Sequence, residues 1–129
     1  MSDPREALIR DAFDAFEARD VAGLVAFLHP DVACRVAPPL LNTGTWNGYA
    51  GFAQMTATWE EAFGEITYGI TGFEPLDDRN ILVAVHQEAT GAGSGVPVVL
   101  DVHFLIEFER DQATRFQIHA DRESALAAV

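Results

Sequence analysis

The sequence predicts an α+β domain in which helices come first and a curled antiparallel sheet behind them encloses a small-molecule pocket. Two observations carry the prediction. Apolar residues recur at helical period up to Gly64 and at a period of two beyond it, and the later segments are joined by connections short enough for hairpins. A third observation is capacity. The chain has 129 residues, 49% of them hydrophobic and nine of them Phe, enough to bury a core as one domain over residues 1–129.

The first helix is read from Pro4 to Arg19. Leu8, Ile9, Ala12, Phe13 and Phe16 form a one-sided stripe against Arg10, Asp11, Asp14 and Glu17, with Ser2 or Asp3 as cap and Pro4 in the first turn. Asp20 caps a short second helix, Val21 to Leu28, which His29-Pro30-Asp31 ends. Val32 to Val36 reads as a strand with Val32, Cys34 and Val36 on one face and Arg35 on the other. After Pro38-Pro39, the stretch Leu40 to Gly48 reads as a loop, being rich in Asn and Gly. Tyr49 to Phe63 forms a third helix carrying Phe52, Met55, Trp59, Ala62 and Phe63 on one side, and Gly64 stops it.

Four β-rich runs follow: Glu65 to Phe73, Asn80 to Thr90, Pro97 to Glu109 and Thr114 to Ala120. The turns between them are Glu74 to Asp78, Gly91 to Gly95 and Arg110 to Gln112, which predicts an antiparallel meander. Asp121 then caps a terminal helix reaching Ala128.

Composition narrows the partners. Eight basic residues against 20 acidic ones give a formal charge of −12, which argues against nucleic acid and anionic membrane as partners. The single Cys34 cannot form an internal disulfide. The charged start, Met1 to Glu6, has no apolar run behind it, so no signal peptide or membrane span is predicted and the chain reads as cytoplasmic.

Three stretches carry a resemblance. Ala15 to Asp20, followed by Leu24, Phe27, Leu28 and His29 to Val32, is one; Thr90 to Val98 is the second. The third is Arg115 to Leu126, ending in Asp121-Arg122-Glu123-Ser124-Ala125-Leu126. Their order and spacing resemble the nuclear transport factor 2-like superfamily, in its SnoaL-like and ketosteroid isomerase-like branch. The resemblance implies a cone-shaped sheet wrapped around the helices, a pocket between them, and commonly a homodimer. It implies no single activity, because this fold hosts isomerases, cyclases, hydrolases and pure binding domains.

Strand alternation decides which residues face that pocket. Val98, Leu100, Val102, Phe104, Ile106 and Phe108 share one parity and are expected inside, whereas Asp101, His103, Glu107 and Glu109 are expected outside. Likewise Ile81, Val83, Val85, Phe116 and Ile118 face in, and His86, Glu88, Gln117 and His119 face out. His86, His103 and His119 then lie on one face of consecutive strands near Asp101, Glu88 and Glu107. That pattern is either an acid–base or metal cluster or the polar outer face of the sheet; no metal-ligand spacing motif supports the first, and no metal or other cofactor is expected. Gly91, Gly93 and Gly95 belong to a hairpin and cradle no phosphate, since no helix follows.

The catalytic sets that the resemblance implies fit poorly. Where ketosteroid isomerases carry a Tyr, an Asp base and a protonated Asp, this chain has Ala12, Val36 and Val102 or Phe104. For the SnoaL-like cyclase pair, His103 matches the His, but Gln117 and Ile118 occupy the region of the Asp. A bulge at Pro97 or beyond would turn Asp101 and His103 inward. Tyr68 faces inward by alternation with Ile66 and Ile70, as a hydrogen-bond donor to a ligand carbonyl or as a core Tyr.

The candidate catalytic residues are therefore Tyr68 as electrophile and the Asp101/His103 pair as base. The expected pocket lining is Phe16, Cys34, Trp46, Trp59, Tyr68, Val102, Phe104 and Ile118, and the expected ligand is a small apolar or carbonyl-containing molecule. Leu82 and Leu105, on an otherwise polar outer face, predict a homodimer through Leu82, Ala84, His86, Val99, His103 and Leu105.

Overall fold

A computed structural model describes residues 3–40, 43–90 and 95–129. The Ser2 cap, the Leu41–Asn42 part of the predicted loop and residues 91–94 of the glycine-rich hairpin lie outside them.

Helix α1 spans Pro4–Glu17. Asp3 caps it by accepting from the Arg5 N–H at 2.9 Å, and the Glu6 carboxylate reaches back to the Asp3 N–H at 3.2 Å, a reciprocal capping box. Asp20 caps α2 (Val21–Phe27), accepting from Gly23 N–H at 3.1 Å. Helix α3 covers Gly48–Phe63, and Gly64 ends it at φ +80°, a conformation that favours a residue without Cβ.

The strands are β1 (Leu28–Val36), β2 (Gly44–Asn47), β3 (Ile66–Pro75), β4 (Asn80–Thr90), β5 (Pro97–Glu109) and β6 (Gln112–His119). They form one curved sheet in the order β2-β1-β6-β5-β4-β3, with α4 (Arg122–Ala127) last in the chain. The α+β fold and the meander β3 to β6 are as predicted. In the turn before β4, Asp77 Oδ1 accepts from the N–H of Arg79 and of Asn80 at 2.8 and 2.7 Å, and Arg5 ties the start of α1 to the Asp77 carbonyl at 2.9 Å.

Three predictions need correction. The stretch read as a loop from Leu40 to Gly48 contains β2, which pairs antiparallel with β1 from Ala33↔Asn47 to Val36↔Gly44. Asn and Gly on both sides masked Thr45 and Trp46, and an edge strand this short gains its order from pairing with β1. β1 begins at Leu28, directly after α2, with a register shift between Leu28 and Ala33, so His29 belongs to a strand and not to a helix end. The sheet is also not wholly antiparallel, because β1 runs parallel to β6 through Ala33↔Arg115 to Val36↔Ile118.

The outer face holds a further correction. Leu82 and Leu105 are buried, at 2% and 0% exposure, in a small second core with Ala125 of α4, flanked by Leu76 and Ala128. The two leucines that motivated a second copy on this face are covered by the chain's own last helix, whereas Val99, in the same predicted patch, stays 60% exposed. Asp121 caps that helix at Ser124 N–H (2.8 Å), and Arg122 pairs with both carboxylate oxygens of Glu74 at 2.7 and 2.6 Å. Among the described residues no helix is long and apolar enough to cross a membrane.

Candidate ligand cavity on the inner sheet face

Helices α1 to α3 pack on one face of the sheet, and alternation along the strands supplies their partners: Ile81, Val83 and Val85 from β4, Val102, Phe104 and Ile106 from β5, Phe116 and Ile118 from β6. The filling is incomplete. A cavity of about 60 Å³ remains, walled by Ala12, Phe13 and Phe16 of α1, Leu24 and Phe27 of α2, Phe52 and Trp59 of α3, and Tyr68, Phe104, Ile106, Phe116 and Ile118 of the sheet.

Aromatic rings make most of that wall, each meeting the next. Phe16 meets Tyr68 edge-on at 5.8 Å, Tyr68 meets Phe13 at 6.3 Å, and Phe13 lies 5.7 Å from Phe104. Phe104 contacts Phe116 at 5.0 Å, and Phe116 meets Phe52 at 5.6 Å. Four of these five pairs meet edge-on, an arrangement that the ring quadrupoles favour, and Phe13–Phe104 is tilted at 31°. A groove of about 230 Å³ between α2 and α3 shares Phe16, Leu24 and Phe52 with the cavity. These three side chains form the partition between the interior and the surface.

Only two wall residues carry a polar side-chain atom, Tyr68 and Trp59. Tyr68 also borders a polar cleft lined by Glu17, Arg19 and Glu60, where Arg19 pairs with Glu60 at 3.2 Å and lies over the Phe16 ring at 5.3 Å. Burial foremost, and then the Glu60 charge, hold the Tyr68 phenol above the usual tyrosine range, with Arg19 opposing. Its hydroxyl is therefore neutral and a donor at neutral pH. Trp59 is 2% exposed, and its indole N–H is buried without a protein partner.

A third inner polar group escaped the sequence reading. Gln87 is 3% exposed, has the inner parity of Val83 and Val85, and sits in register with Tyr68 on one side and Leu100 on the other. Its Nε2 has no partner either. The signal was available: a polar residue at an inner position of a strand whose other inner residues are apolar.

Of the predicted lining, Phe16, Trp59, Tyr68, Phe104 and Ile118 face the cavity. Val102 and Cys34 have the right parity, but both are buried in the packed core away from it. Burial pushes the Cys34 thiol up to about 11, so it is no thiolate nucleophile at neutral pH. Trp46 stays at the sheet edge, folded onto Gly44 and backed by Gly51 of α3; a Cβ on Gly51 would come within 3.0 Å of it.

Asp101 and His103 stand on the outer face. β4 and β5 pair without interruption from Thr90↔Pro97 to Asn80↔Glu107, so the bulge that would turn them inward is not formed. Asp101 is exposed and accepts His86 Nδ1 at 2.7 Å, while Glu88 contacts His86 Nε2 at 3.4 Å. His119 is 1% exposed and bonded to Ser124 Oγ at 2.9 Å and Gln117 Oε1 at 2.8 Å. His86, His103 and His119 do lie on three neighbouring strands, but His86 and His119 are engaged separately. No group of three or more potential metal ligands converges among the described residues.

Comparison with known proteins agrees with this architecture. The model of the SnoaL-like domain family matches residues 9–116. An NTF2-like protein of unknown function from Burkholderia pseudomallei K96243 superposes with a TM-score of 0.79 at 22% identity, over 98% of this chain and 97% of the other. TerC, co-crystallised with polyporic acid, gives 0.80 at 22% identity over 98% and 97%. A candidate SnoaL-like polyketide cyclase from Jannaschia sp. CCS1 gives 0.76 at 14% identity over 100% and 96%. These identities speak to the fold alone. No curated protein matches the sequence.

Proposed function

The chain belongs to the SnoaL-like domain family, and from that premise we propose that it binds a small, mostly apolar, carbonyl-containing molecule in the cavity between α1–α3 and the sheet. The observation that carries this reading is the wall. It is aromatic at eight of its twelve residues, aliphatic at the rest, and carries no ionisable carboxylate, amine or imidazole, so a neutral apolar body loses little on leaving water there, whereas a charged one has no partner. Tyr68 supplies a neutral donor at the boundary with the polar cleft, suited to a ligand oxygen. The matched structure of TerC with polyporic acid supports a small-molecule role on this fold.

Proton-transfer isomerisation or cyclisation is the second reading, favoured by the matched candidate polyketide cyclase and by the Tyr68 hydroxyl as donor to a developing oxyanion. It lacks a base at the cavity, because the Asp101/His103 pair lies across the sheet. One experiment separates the two: small cyclic ketones and enones are titrated by chemical-shift mapping, and those that bind are followed for deuterium exchange at the α-carbon. Shifts confined to residues of the cavity wall are expected, with exchange no faster than in buffer. Shifts confined to the outer face would overturn the site. Exchange that Tyr68→Phe abolishes would establish catalysis instead.

A further inference from the structure

We infer that Arg35 of β1 and Arg115 of β6 form an anion site on the outer face of the sheet, suited to a tetrahedral dianion of the phosphate or phosphomonoester class. The site lies across the sheet from the cavity and does not depend on what the cavity binds.

The chain has eight basic residues, all arginine, against 20 acidic ones. Six of the eight have a partner or full contact with water. Arg5 pairs with Asp3 at 2.7 Å, Arg19 with Glu60 at 3.2 Å and Arg122 with Glu74 at 2.6 Å, while Arg10 lies over the Phe73 ring at 5.0 Å. Arg79 and Arg110 are exposed in turns, where water solvates them. Arg35 and Arg115 differ from all of these. Each is half-buried in a strand, and among the described residues neither side chain has an ion pair or a hydrogen-bond partner. The Nε of Arg115 is enclosed with no acceptor beside it, so any compensation for that guanidinium comes at its outer N–H groups. A guanidinium taken partly out of water without a counter-charge carries a cost that an external anion would remove.

Register brings the two together. β1 runs parallel to β6 with Ala33 opposite Arg115 and Arg35 opposite Gln117, while Cys34 and Phe116 between them turn into the core. Both arginines therefore stand on the outer face as diagonal neighbours, about 7–8 Å apart and within reach of one another as long side chains. Like charges so placed repel, and a bridging dianion replaces that repulsion with charge-assisted hydrogen bonds. Acceptors nearby are engaged elsewhere. The Gln117 amide oxygen is held by His119 at 2.8 Å, and Glu107, opposite Arg115 on β5, accepts from the Thr114 hydroxyl at 3.3 Å. The local field agrees in sign. His119 on the same face is held below the usual histidine range by burial first and then by Arg35, with Arg115 and His103 adding and Asp121 opposing. At physiological salt charges beyond about 8 Å are largely screened, so this pair outweighs the net charge of −12 for a small anion. Two guanidinium forks match both the charge of −2 and the spread oxygens of a phosphate group.

The test is a ¹⁵N–¹H titration with inorganic phosphate, methyl phosphate and acetate, each at the same ionic strength set with sodium chloride. Phosphate is expected to give saturable shifts centred on Arg35, Arg115 and Gln117, and acetate to bind more weakly. Arg35→Gln and Arg115→Gln should each weaken phosphate roughly tenfold or more, the lower end for a hydrogen bond to a charged group, whereas Arg79→Gln should change it by less than about twofold. Methyl phosphate binding as tightly as inorganic phosphate would support a phosphomonoester ligand, and weaker binding would support the free anion; both uphold the dianion site. The wild-type shift map decides the location even if a variant folds poorly. Shifts spread equally over Arg79 and Arg110, or phosphate binding unchanged in either Arg35→Gln or Arg115→Gln, would overturn the site. Acetate binding as tightly as phosphate would overturn the dianion class.

Discussion

Replacing Leu105 with alanine probes whether α4 is part of the fold's own stability. Leu105 is fully buried in mid-β5, beside Leu82 on β4 and beneath Ala125 of α4. Removing a buried leucine costs about 2–5 kcal/mol, depending on how far the surroundings close over the gap. The cover here is a six-residue helix held by one ion pair, a cap and the His119–Ser124 hydrogen bond, which can settle inward, so a loss of about 2–3 kcal/mol is expected. With a urea slope of about 1.5 kcal/mol per molar, the midpoint should fall by about 1.3–2 M. Equilibrium urea unfolding at two protein concentrations tenfold apart is the assay. A shift that is the same at both is expected, because every partner named belongs to the same chain. A shift under about 0.5 M, or one that changes with concentration, would refute the reasoning and return Leu105 to an interface between copies.

Three further outcomes follow from groups whose ionisation the fold perturbs. Burial holds the Cys34 thiol at about 11, above its ordinary value near 9, so stability is full below about pH 9 and is lost as pH rises toward 11; Tyr68 acts in the same direction. Alkaline unfolding curves of Cys34→Ala should lose part of that slope, and an unchanged slope would count against the burial argument. In an NMR titration of the four histidines, His86 should titrate above the ordinary range, because Asp101 and then Glu88 favour its cation. His119 should titrate below it, through burial first and then Arg35, with Arg115 and His103 adding to the effect and Asp121 opposing it. The two signs differ in consequence. The His86 contribution is present in acid and lost as pH rises through its folded pKa. The His119 contribution is present above about pH 6.5 and lost on acidification, when amide exchange in α4 should quicken, since Ser124 of that helix bonds to the ring.

The sequence alone determined what depends on local chemistry and period. Asp3, Asp20 and Asp121 act as caps because a carboxylate before an apolar stripe satisfies free N–H groups whatever the rest of the chain does. The inner and outer faces of β4, β5 and β6 followed from a side-chain period of two, which a long uninterrupted strand cannot evade. That same rule puts Asp101 and His103 on the face away from the cavity. Only the tertiary structure decided how the elements meet. Strand β2 exists because β1 offers it hydrogen bonds, its own strand signal being only Thr45 and Trp46 between Gly44 and Asn47. Leu82 and Leu105 looked exposed because their strands are polar on that side, and whether a helix far along the chain folds back over them is a question of packing, not of pattern. The cavity is likewise a matter of volumes. Alternation names the inward residues, but it cannot say which rings meet, which gap stays open, or that Val102 fills the core while Phe104 borders the void, because those depend on close packing among side chains distant in sequence.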